Sequence, residues 1–90
     1  MPVLMIAEVP NLTEEVYGGM VGQMTPLMQA AKGFIFHSGG PNPTGGWRVI
    51  EAWESEEDGR AWFEENVRPN LPPEIVPDRK YFPLHSIVTK

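Results

Sequence analysis

Residues 46–65, GWRVIEAWESEEDGRAWFEE, constrain the fold of this chain more than any other segment. They begin with a strand pattern, in which side chains alternate between two faces. One row contains Trp47, Val49, Glu51 and Trp53, and the other contains Arg48, Ile50, Ala52 and Glu54. Both rows include large apolar side chains, so neither has the composition of a solvated face. We therefore expect a central strand in a sheet that is covered on both sides.

The length of the chain indicates how that covering is achieved. Its 90 residues suffice for one domain, residues 1–90, which buries roughly 60–65% of the surface of the unfolded chain. Helices packed on one face of the sheet would leave the other face in water. We therefore expect a homodimer, in which a second copy of the chain covers the open face.

Charge and composition argue against several classes of partner. The net charge is −5, and acidic residues are concentrated in 54–65, so a nucleic-acid or anionic membrane surface is disfavoured. Without cysteine, the chain has no disulfide or thiolate site. Met1–Pro10 is apolar but lacks a cationic leader, and no apolar run approaches the ~20 residues of a membrane helix. A cytoplasmic protein is expected.

Three further segments have strand patterns. Val3–Val9 is apolar on both faces, as in a central strand. Gly33–Ser38 alternates, which predicts Phe34 and Phe36 on one face and Ile35 and His37 on the other. Tyr81–Val88 is the last strand, and Pro83 within it predicts an edge position.

Two helices are predicted between these strands. Thr13 can cap the first, whose apolar residues recur at helical spacing, although Pro26 should kink or restart it. Ser55-x-x-Asp58 resembles a capping box and opens the second helix, which should end at Arg68-Pro69. The resulting order is βαββαβ, an α+β fold with both helices on one side of a four-stranded antiparallel sheet.

The third strand and its helix resemble a known family. The run Val49–Glu57, VIEAWESEE, followed by Trp62-Phe63, is similar to the dimeric α/β-barrel superfamily and, within it, to small antibiotic-biosynthesis-monooxygenase-like proteins. This resemblance implies ferredoxin-like protomers that pack sheet to sheet. It also implies a pocket in each protomer between the helices and the sheet.

The resemblance also argues against haem degradation. Haem-degrading relatives use an asparagine on the first strand, where this chain has Ala7 and Glu8. Trp62 matches their helical tryptophan, but the position of their axial histidine falls at about Pro72. We therefore expect no haem and no other cofactor.

Two other activities of the family are compared in the same way. Polyketide-cyclising relatives place a histidine near Trp47, a tyrosine near Trp62 and a histidine near Arg68, so their acid–base residues are not reproduced. Cofactor-free quinone-forming oxygenases use a tryptophan around a flat aromatic substrate, together with an asparagine, a tyrosine and an arginine to which no positions of this chain are assigned. Trp62 is compatible with that role.

The two residues predicted to be catalytic are His37 and Trp62. His37 and His85 are the only histidines, and an imidazole suits proton transfer near neutral pH. His37 is the stronger candidate for a general base or acid, with a structural histidine bonded to backbone as the alternative. Trp62 could hold an aromatic ring by stacking, and core packing is its alternative.

The wider predicted pocket is apolar. Thioethers suit an irregular hydrophobic ligand, and a tyrosine hydroxyl such as that of Tyr17 can donate to a developing oxyanion. The predicted ligand-binding residues are Met24, Met28, Tyr81, His85 and Trp47. No metal site is expected, because two isolated histidines do not converge with carboxylates at ligand spacing.

These features support several functional hypotheses. The first is a cofactor-independent, monooxygenase-like enzyme acting on a small aromatic or polyketide-like molecule. The alternatives are a cyclase or isomerase that uses His37 as acid or base, a dimer that binds a hydrophobic ligand without turnover, and a structural protein whose own side chains fill the cavity.

Overall fold

The computed structural model describes all residues, 1–90, and contains four strands and two helices. In chain order they are β1 (Val3–Val9), α1 (Glu14–Gln29), β2 (Phe34–Pro41), β3 (Trp47–Trp53), α2 (Glu56–Trp62) and β4 (Asp78–Pro83). The sheet order is β2-β3-β1-β4, and every neighbouring pair is antiparallel. The predicted ferredoxin-like βαββαβ fold is therefore confirmed, with β1 and β3 as central strands.

One face of the sheet forms the core. Met5, Ala7 and Val9 of β1 are buried, as are Trp47 and Trp53 of β3, because α1 and α2 pack over this face. The opposite face is apolar but open in the protomer: it includes Leu4, Ile6, Phe36, Ile50 and Phe82. Phe36 is 37% exposed and Phe82 is 45% exposed. The predicted two-sided apolar character of the sheet is thus present.

The first helix, α1, has a capped N-terminus and is continuous. The side-chain oxygen of Thr13 accepts a hydrogen bond from the Val16 amide at 3.3 Å, which is the predicted N-terminal cap. The prediction that Pro26 could restart the helix is wrong, because α1 runs unbroken to Gln29. Pro26 lies in the last turn, so its missing amide removes a single hydrogen bond from the helix.

Neither helix has the length and hydrophobicity needed to cross a bilayer.

The second helix does not end where the sequence predicts. Ser55 caps it through a bond from the Asp58 amide at 3.1 Å. The α-helical part stops at Trp62 and continues as a π-helical turn, Phe63–Val67, and a 3-10 turn, Arg68–Asn70. The α-helix thus ends before the predicted end at Arg68-Pro69, whereas helical turns continue one residue beyond it, to Asn70, because proline is tolerated in the first positions of a helical turn.

The last strand is also displaced from its prediction. It spans Asp78–Pro83 and pairs with β1, whereas the sequence predicts Tyr81–Val88. Pro83 has no amide hydrogen and ends the pairing, while the charged residues 78–80 lie on an exposed edge and do not have the apolar pattern of a buried strand. His85 consequently lies beyond the sheet.

Candidate active site

A mostly hydrophobic cavity of about 90 Å³ lies between the sheet and the helical layer. Met24 and Met28 of α1 and Trp62 of α2 form part of its wall, together with Phe63 and Val67 of the π-helical turn. Its polar lining residues are Tyr17, His37, Glu51 and Arg79.

A bulge in β2 points His37 toward this cavity. Phe34 pairs with Trp53, but the register shifts before Phe36, so that His37 pairs with Glu51. An extra residue in one strand reverses the side-chain alternation beyond it. Phe34 and His37 therefore both face the helices, and the prediction that Phe34 and Phe36 share a face is wrong.

His37 is held by a buried carboxylate. Its Nδ1 lies 2.7 Å from Oε2 of Glu51, and the other oxygen of Glu51, Oε1, accepts a hydrogen bond from Nε1 of Trp53 at 2.9 Å. Glu51 is only 5% exposed. With an ionised Glu51, Nδ1 of His37 is the donor, which leaves Nε2 as the acceptor on the cavity side.

The hydroxyl of Tyr17 lies 2.6 Å from Nε2 of His37 and completes a carboxylate–imidazole–hydroxyl chain. The two rings are stacked, with centroids 5.9 Å apart and planes inclined by 10°. Burial and, secondarily, the negative charge of Glu51 raise the pKa of Tyr17, so this hydroxyl is protonated at neutral pH and donates to Nε2. Gly39 leaves space for it, because a Cβ there would collide with the Tyr17 hydroxyl.

Trp62 contributes a flat ring and a free donor. Its ring packs against Trp53 with centroids 5.9 Å apart, and its buried Nε1 has no hydrogen-bond partner. Buried indole N–H groups usually find a partner. An acceptor on a ligand in the cavity would therefore satisfy a group that the protein leaves unpaired.

A second, more polar recess of about 570 Å³ adjoins the cavity. The two share Phe63, Leu71, Pro77 and Arg79 in their walls. Arg79 Nη2 donates to the hydroxyl of Tyr81 at 2.8 Å. Burial is the main cause of the raised pKa of Tyr81, and the Arg79 charge acts in the opposite direction.

The structure places four of the seven predicted site residues on the cavity wall: His37, Trp62, Met24 and Met28. The other three lie outside that wall. Trp47 is buried beside Tyr17, with ring centroids 5.1 Å apart. Tyr81 lies on β4, next to Arg79, and His85 is exposed beyond the end of that strand.

Sequence reasoning missed two charged residues on the wall, Glu51 and Arg79. A signal for Glu51 was present, because a carboxylate that alternates with Trp47 and Trp53 on one strand face must be buried with them. No such signal marked Arg79, which precedes the predicted fourth strand.

The residues present do not fit a haem. His37 is the one histidine on the cavity wall, and both of its ring nitrogens are engaged, by Tyr17 and by Glu51. Pro72, at the expected position of the axial histidine, lines the outer recess and has no ligating atom in its side chain. No group of three or more histidine, aspartate or glutamate side chains is arranged to hold a metal ion.

Comparison with solved structures identifies close likenesses in fold. Rv0793 from Mycobacterium tuberculosis has a TM-score of 0.71 at 15% identity, covering 99% of this chain and 100% of that one. A mutant of SnoaB, a cofactor-independent oxygenase from Streptomyces nogalater, has a TM-score of 0.68 at 9% identity, covering 99% and 98%. A mutant of MhuD with two manganese protoporphyrin IX molecules bound per active site has a TM-score of 0.66 at 17% identity, covering both chains completely.

These TM-scores and coverages show a common fold over the full length of the chain. The resemblance to antibiotic-biosynthesis-monooxygenase-like proteins that the sequence predicts is therefore confirmed at the level of the fold. No protein-family model and no curated protein matches the chain.

Proposed function

We propose that this protein is a cofactor-independent, monooxygenase-like enzyme acting on a small aromatic or polyketide-like molecule, with His37 as its base. One observation carries the proposal. An imidazole backed by a buried carboxylate, Glu51, lies on the wall of a mostly hydrophobic cavity. The likeness in fold to an oxygenase that needs no cofactor adds support.

The proposed reaction begins with proton transfer. Nε2 of His37 removes the hydroxyl proton of a phenol-like substrate or a proton from the acidic methylene carbon of an anthrone-like one, and Glu51 stabilises the imidazolium that forms. For this step the substrate displaces the Tyr17 hydroxyl from Nε2. The freed Tyr17 hydroxyl then donates to the oxyanion of the deprotonated substrate.

Dioxygen is the oxidant in the second step. The electron-rich carbanion forms a carbon–oxygen bond with dioxygen, and the resulting peroxide anion takes the proton from His37 to become a hydroperoxide. Loss of one water molecule breaks the oxygen–oxygen bond and leaves a ketone. For an anthrone, the sum is anthrone plus dioxygen giving anthraquinone plus water, so one oxygen atom enters the product and the other leaves as water.

The cavity supplies orientation and exclusion of water. Trp62 stacks on the substrate ring, while Met24 and Met28 adapt to its outline. Orientation of the substrate and exclusion of water both favour a reaction in which the substrate itself provides the reducing electrons. The inner cavity, at about 90 Å³, is smaller than the cavity of about 150 Å³ that accommodates a single benzene ring, so an aromatic substrate would also extend into the adjoining recess.

A second candidate function is ligand binding without turnover. It is favoured by the hydrogen bond from Tyr17 to Nε2 of His37, because this bond occupies the basic nitrogen. A cyclase or isomerase would use the same His37–Glu51 pair without dioxygen.

The proposal includes a homodimer in the cytoplasm. The open apolar face of the sheet supports the dimer, because contiguous exposed apolar surface of this kind is typical of an interaction site. A second copy that buries Phe36 and Phe82 would remove that surface from water.

An oxygen-uptake assay with 1,8-dihydroxyanthrone tests the function. Dioxygen consumption and the absorbance of the anthraquinone are followed together for the wild type, His37→Ala, Trp62→Ala and His85→Ala. We expect His37→Ala to lose about 10²–10⁴-fold in rate, as is typical for removal of a general base, and His85→Ala to retain wild-type activity. Equal rates for the wild type and His37→Ala would contradict the enzymatic role. Tight anthrone binding without oxygen uptake would favour the binding function.

A further inference from the structure

Methionine is concentrated in one place in this protein. The chain has five methionines, and four of them line the cavity: Met5, Met20, Met24 and Met28. The fifth, Met1, is 81% exposed and is not part of the cavity wall. Oxidation converts the flexible, apolar thioether of methionine to a polar sulfoxide. An oxidant formed in the cavity therefore has four oxidisable sulfur atoms around it.

Met20 lies beside the proposed base. Tyr17 and Met20 are three residues apart on α1, so their side chains share one helix face, with Cβ atoms about 5–6 Å apart. The hydroxyl of Tyr17 is 2.6 Å from Nε2 of His37. Tyr17 and Met20 also pack against the same buried cluster. Met20 is therefore one helical turn from the side chain that contacts the proton-accepting nitrogen.

The other three methionines of the cavity are less well placed. Met24 and Met28 belong to a separate buried cluster, about two and three helical turns from Tyr17. Met5 lies on β1, two strand spacings from His37 on β2, or about 9–10 Å between backbones. All three are buried, whereas the methionine one turn from Tyr17 is half-buried and has more space at its sulfur atom.

We propose that Met20 is an oxidation site, at which the thioether takes one oxygen atom from an organic hydroperoxide held in the cavity. The inference rests on the proposed function, because that function supplies the hydroperoxide. A lone pair of the sulfur attacks the terminal oxygen, so that a sulfur–oxygen bond forms and the oxygen–oxygen bond breaks. The proton of the terminal oxygen passes to the oxygen that stays on carbon. The thioether is oxidised by two electrons to a sulfoxide, and the hydroperoxide is reduced by two electrons to an alcohol.

Oxidation of Met20 would change the surface that holds the substrate. A sulfoxide places a polar oxygen on a mostly hydrophobic wall. Oxygen transfer to sulfur also competes with the loss of water that gives the ketone product. The enzyme should therefore lose activity in proportion to the number of turnovers it has completed.

The first experiment follows the oxygen atom during turnover. The wild type oxidises 1,8-dihydroxyanthrone under oxygen-18 gas, with catalase and superoxide dismutase present to remove diffusible oxidants. N-acetylmethioninamide is added as a freely accessible thioether, and tandem mass spectrometry locates the sulfoxides. We expect the labelled fraction at Met20 to be at least about tenfold that of the added thioether, and His37→Ala to acquire no label.

A variant tests the consequence for activity. Leucine has nearly the volume of methionine but no sulfur, so Met20→Leu should complete more turnovers than the wild type before its rate declines. Three results would overturn the inference: turnover without labelled sulfoxide, label spread equally over the methionines of the cavity, and an equally fast decline in Met20→Leu.

The second experiment supplies the hydroperoxide directly and does not depend on the proposed reaction. Cumene hydroperoxide, which is aromatic, is compared with hydrogen peroxide on the wild type and on His37→Ala, again with N-acetylmethioninamide present. We expect oxidation of Met20 relative to the added thioether to be at least about tenfold greater with cumene hydroperoxide in both proteins, because a hydrophobic cavity binds the aromatic reagent. Equal ratios for the two reagents would overturn the inference.

The two experiments separate failure of this inference from failure of the proposed reaction. A protein that consumes no oxygen with the anthrone, but directs cumene hydroperoxide to Met20, supports the oxidation site and contradicts the enzyme. A protein that oxidises the anthrone and leaves Met20 unlabelled supports the enzyme and contradicts the oxidation site.

Discussion

Nδ1 of His37 lies 2.7 Å from Oε2 of Glu51, and this carboxylate is buried behind the imidazole. Trp53 occupies the second oxygen of Glu51 with an indole N–H at 2.9 Å. Both oxygens therefore accept from fixed donors. The pair fixes the direction in which His37 can accept a proton, with Nε2 toward the cavity.

Replacing Glu51 with glutamine should disturb this arrangement without changing its volume. A glutamine side chain has one oxygen, so its amide group must face either Trp53 Nε1 or His37 Nδ1. If the amide group faces His37, Nδ1 must accept a hydrogen bond, so the imidazole proton moves from Nδ1 to Nε2. If it faces Trp53, a buried donor is left unpaired. We expect a loss of about 1–3 kcal/mol in the free energy of unfolding, measured with urea.

Nitrogen NMR of His37 distinguishes these outcomes. In the wild type we expect a proton on Nδ1, the nitrogen that contacts Glu51. A Glu51→Gln protein with unchanged stability and unchanged His37 nitrogen shifts would contradict a positioning role for this carboxylate.

Two neighbouring glycines of β2 offer a matched comparison. A Cβ at position 39 would collide with the Tyr17 hydroxyl, whereas a Cβ at position 40 meets open space. We expect Gly39→Ala to cost about 1–3 kcal/mol of stability through displacement of Tyr17 from His37. Gly40→Ala should be neutral or slightly stabilising. Thermal melts measure both, and equal melting temperatures for the two variants would show that Tyr17 is not confined by Gly39.

Stability should fall in alkaline solution because of two tyrosines. Burial raises the pKa of Tyr17 and of Tyr81 above the ordinary value of 10.0. A raised pKa in the folded state means that the folded protein holds its proton more tightly than the unfolded chain. The resulting stabilisation is complete below about pH 10 and is lost as pH rises through the folded pKa values.

Urea unfolding between pH 9 and 11.5 measures this effect. We expect the Tyr17→Phe, Tyr81→Phe double variant to have a shallower decline in stability than the wild type over that range. Identical slopes for the two proteins would indicate that neither hydroxyl titrates with a raised pKa.

Assembly should depend on the open face of the sheet. Ile50 lies on that face of the central strand β3, and a lysine there would place a charge in the proposed interface. We expect the wild type to sediment as a dimer and Ile50→Lys as a monomer. Val16→Lys is the control, since Val16 is an exposed β-branched residue on α1. A wild type that is monomeric at micromolar concentration would contradict the dimer.

The central part of the fold could be predicted from the sequence, because the residue patterns of its strands agree with the burial seen in the structure. The two-sided apolar rows of β1 and β3 predicted adjacent central strands, and Thr13 and Ser55 marked both helix starts. Edge strand β4 was displaced in the prediction because residues 78–80 are all charged, so the alternation in their burial does not appear as an apolar pattern in the sequence.

The site was less accessible because it depends on contacts between distant residues. The bulge in β2 changes which side chains join His37 on the inner face, and a two-residue alternation cannot show it. The Tyr17–His37–Glu51 chain joins α1, β2 and β3, so the register that aligns them is visible only in the folded protein. Trp62 was predictable because its helix followed directly from the third strand.

Trp62 offers the most direct test of the central claim, that a ligand chamber with His37 and Trp62 on its wall lies beneath the helices. The chain has three tryptophans, so its nitrogen–proton NMR spectrum has three indole signals, and Trp62→Phe identifies one of them. On titration with 6-hydroxy-2-naphthoate, we expect the Trp62 indole signal and the His37 ring signals to shift together and to saturate with one affinity. Saturable binding that leaves both unmoved, while signals of the open sheet face shift, would contradict the account.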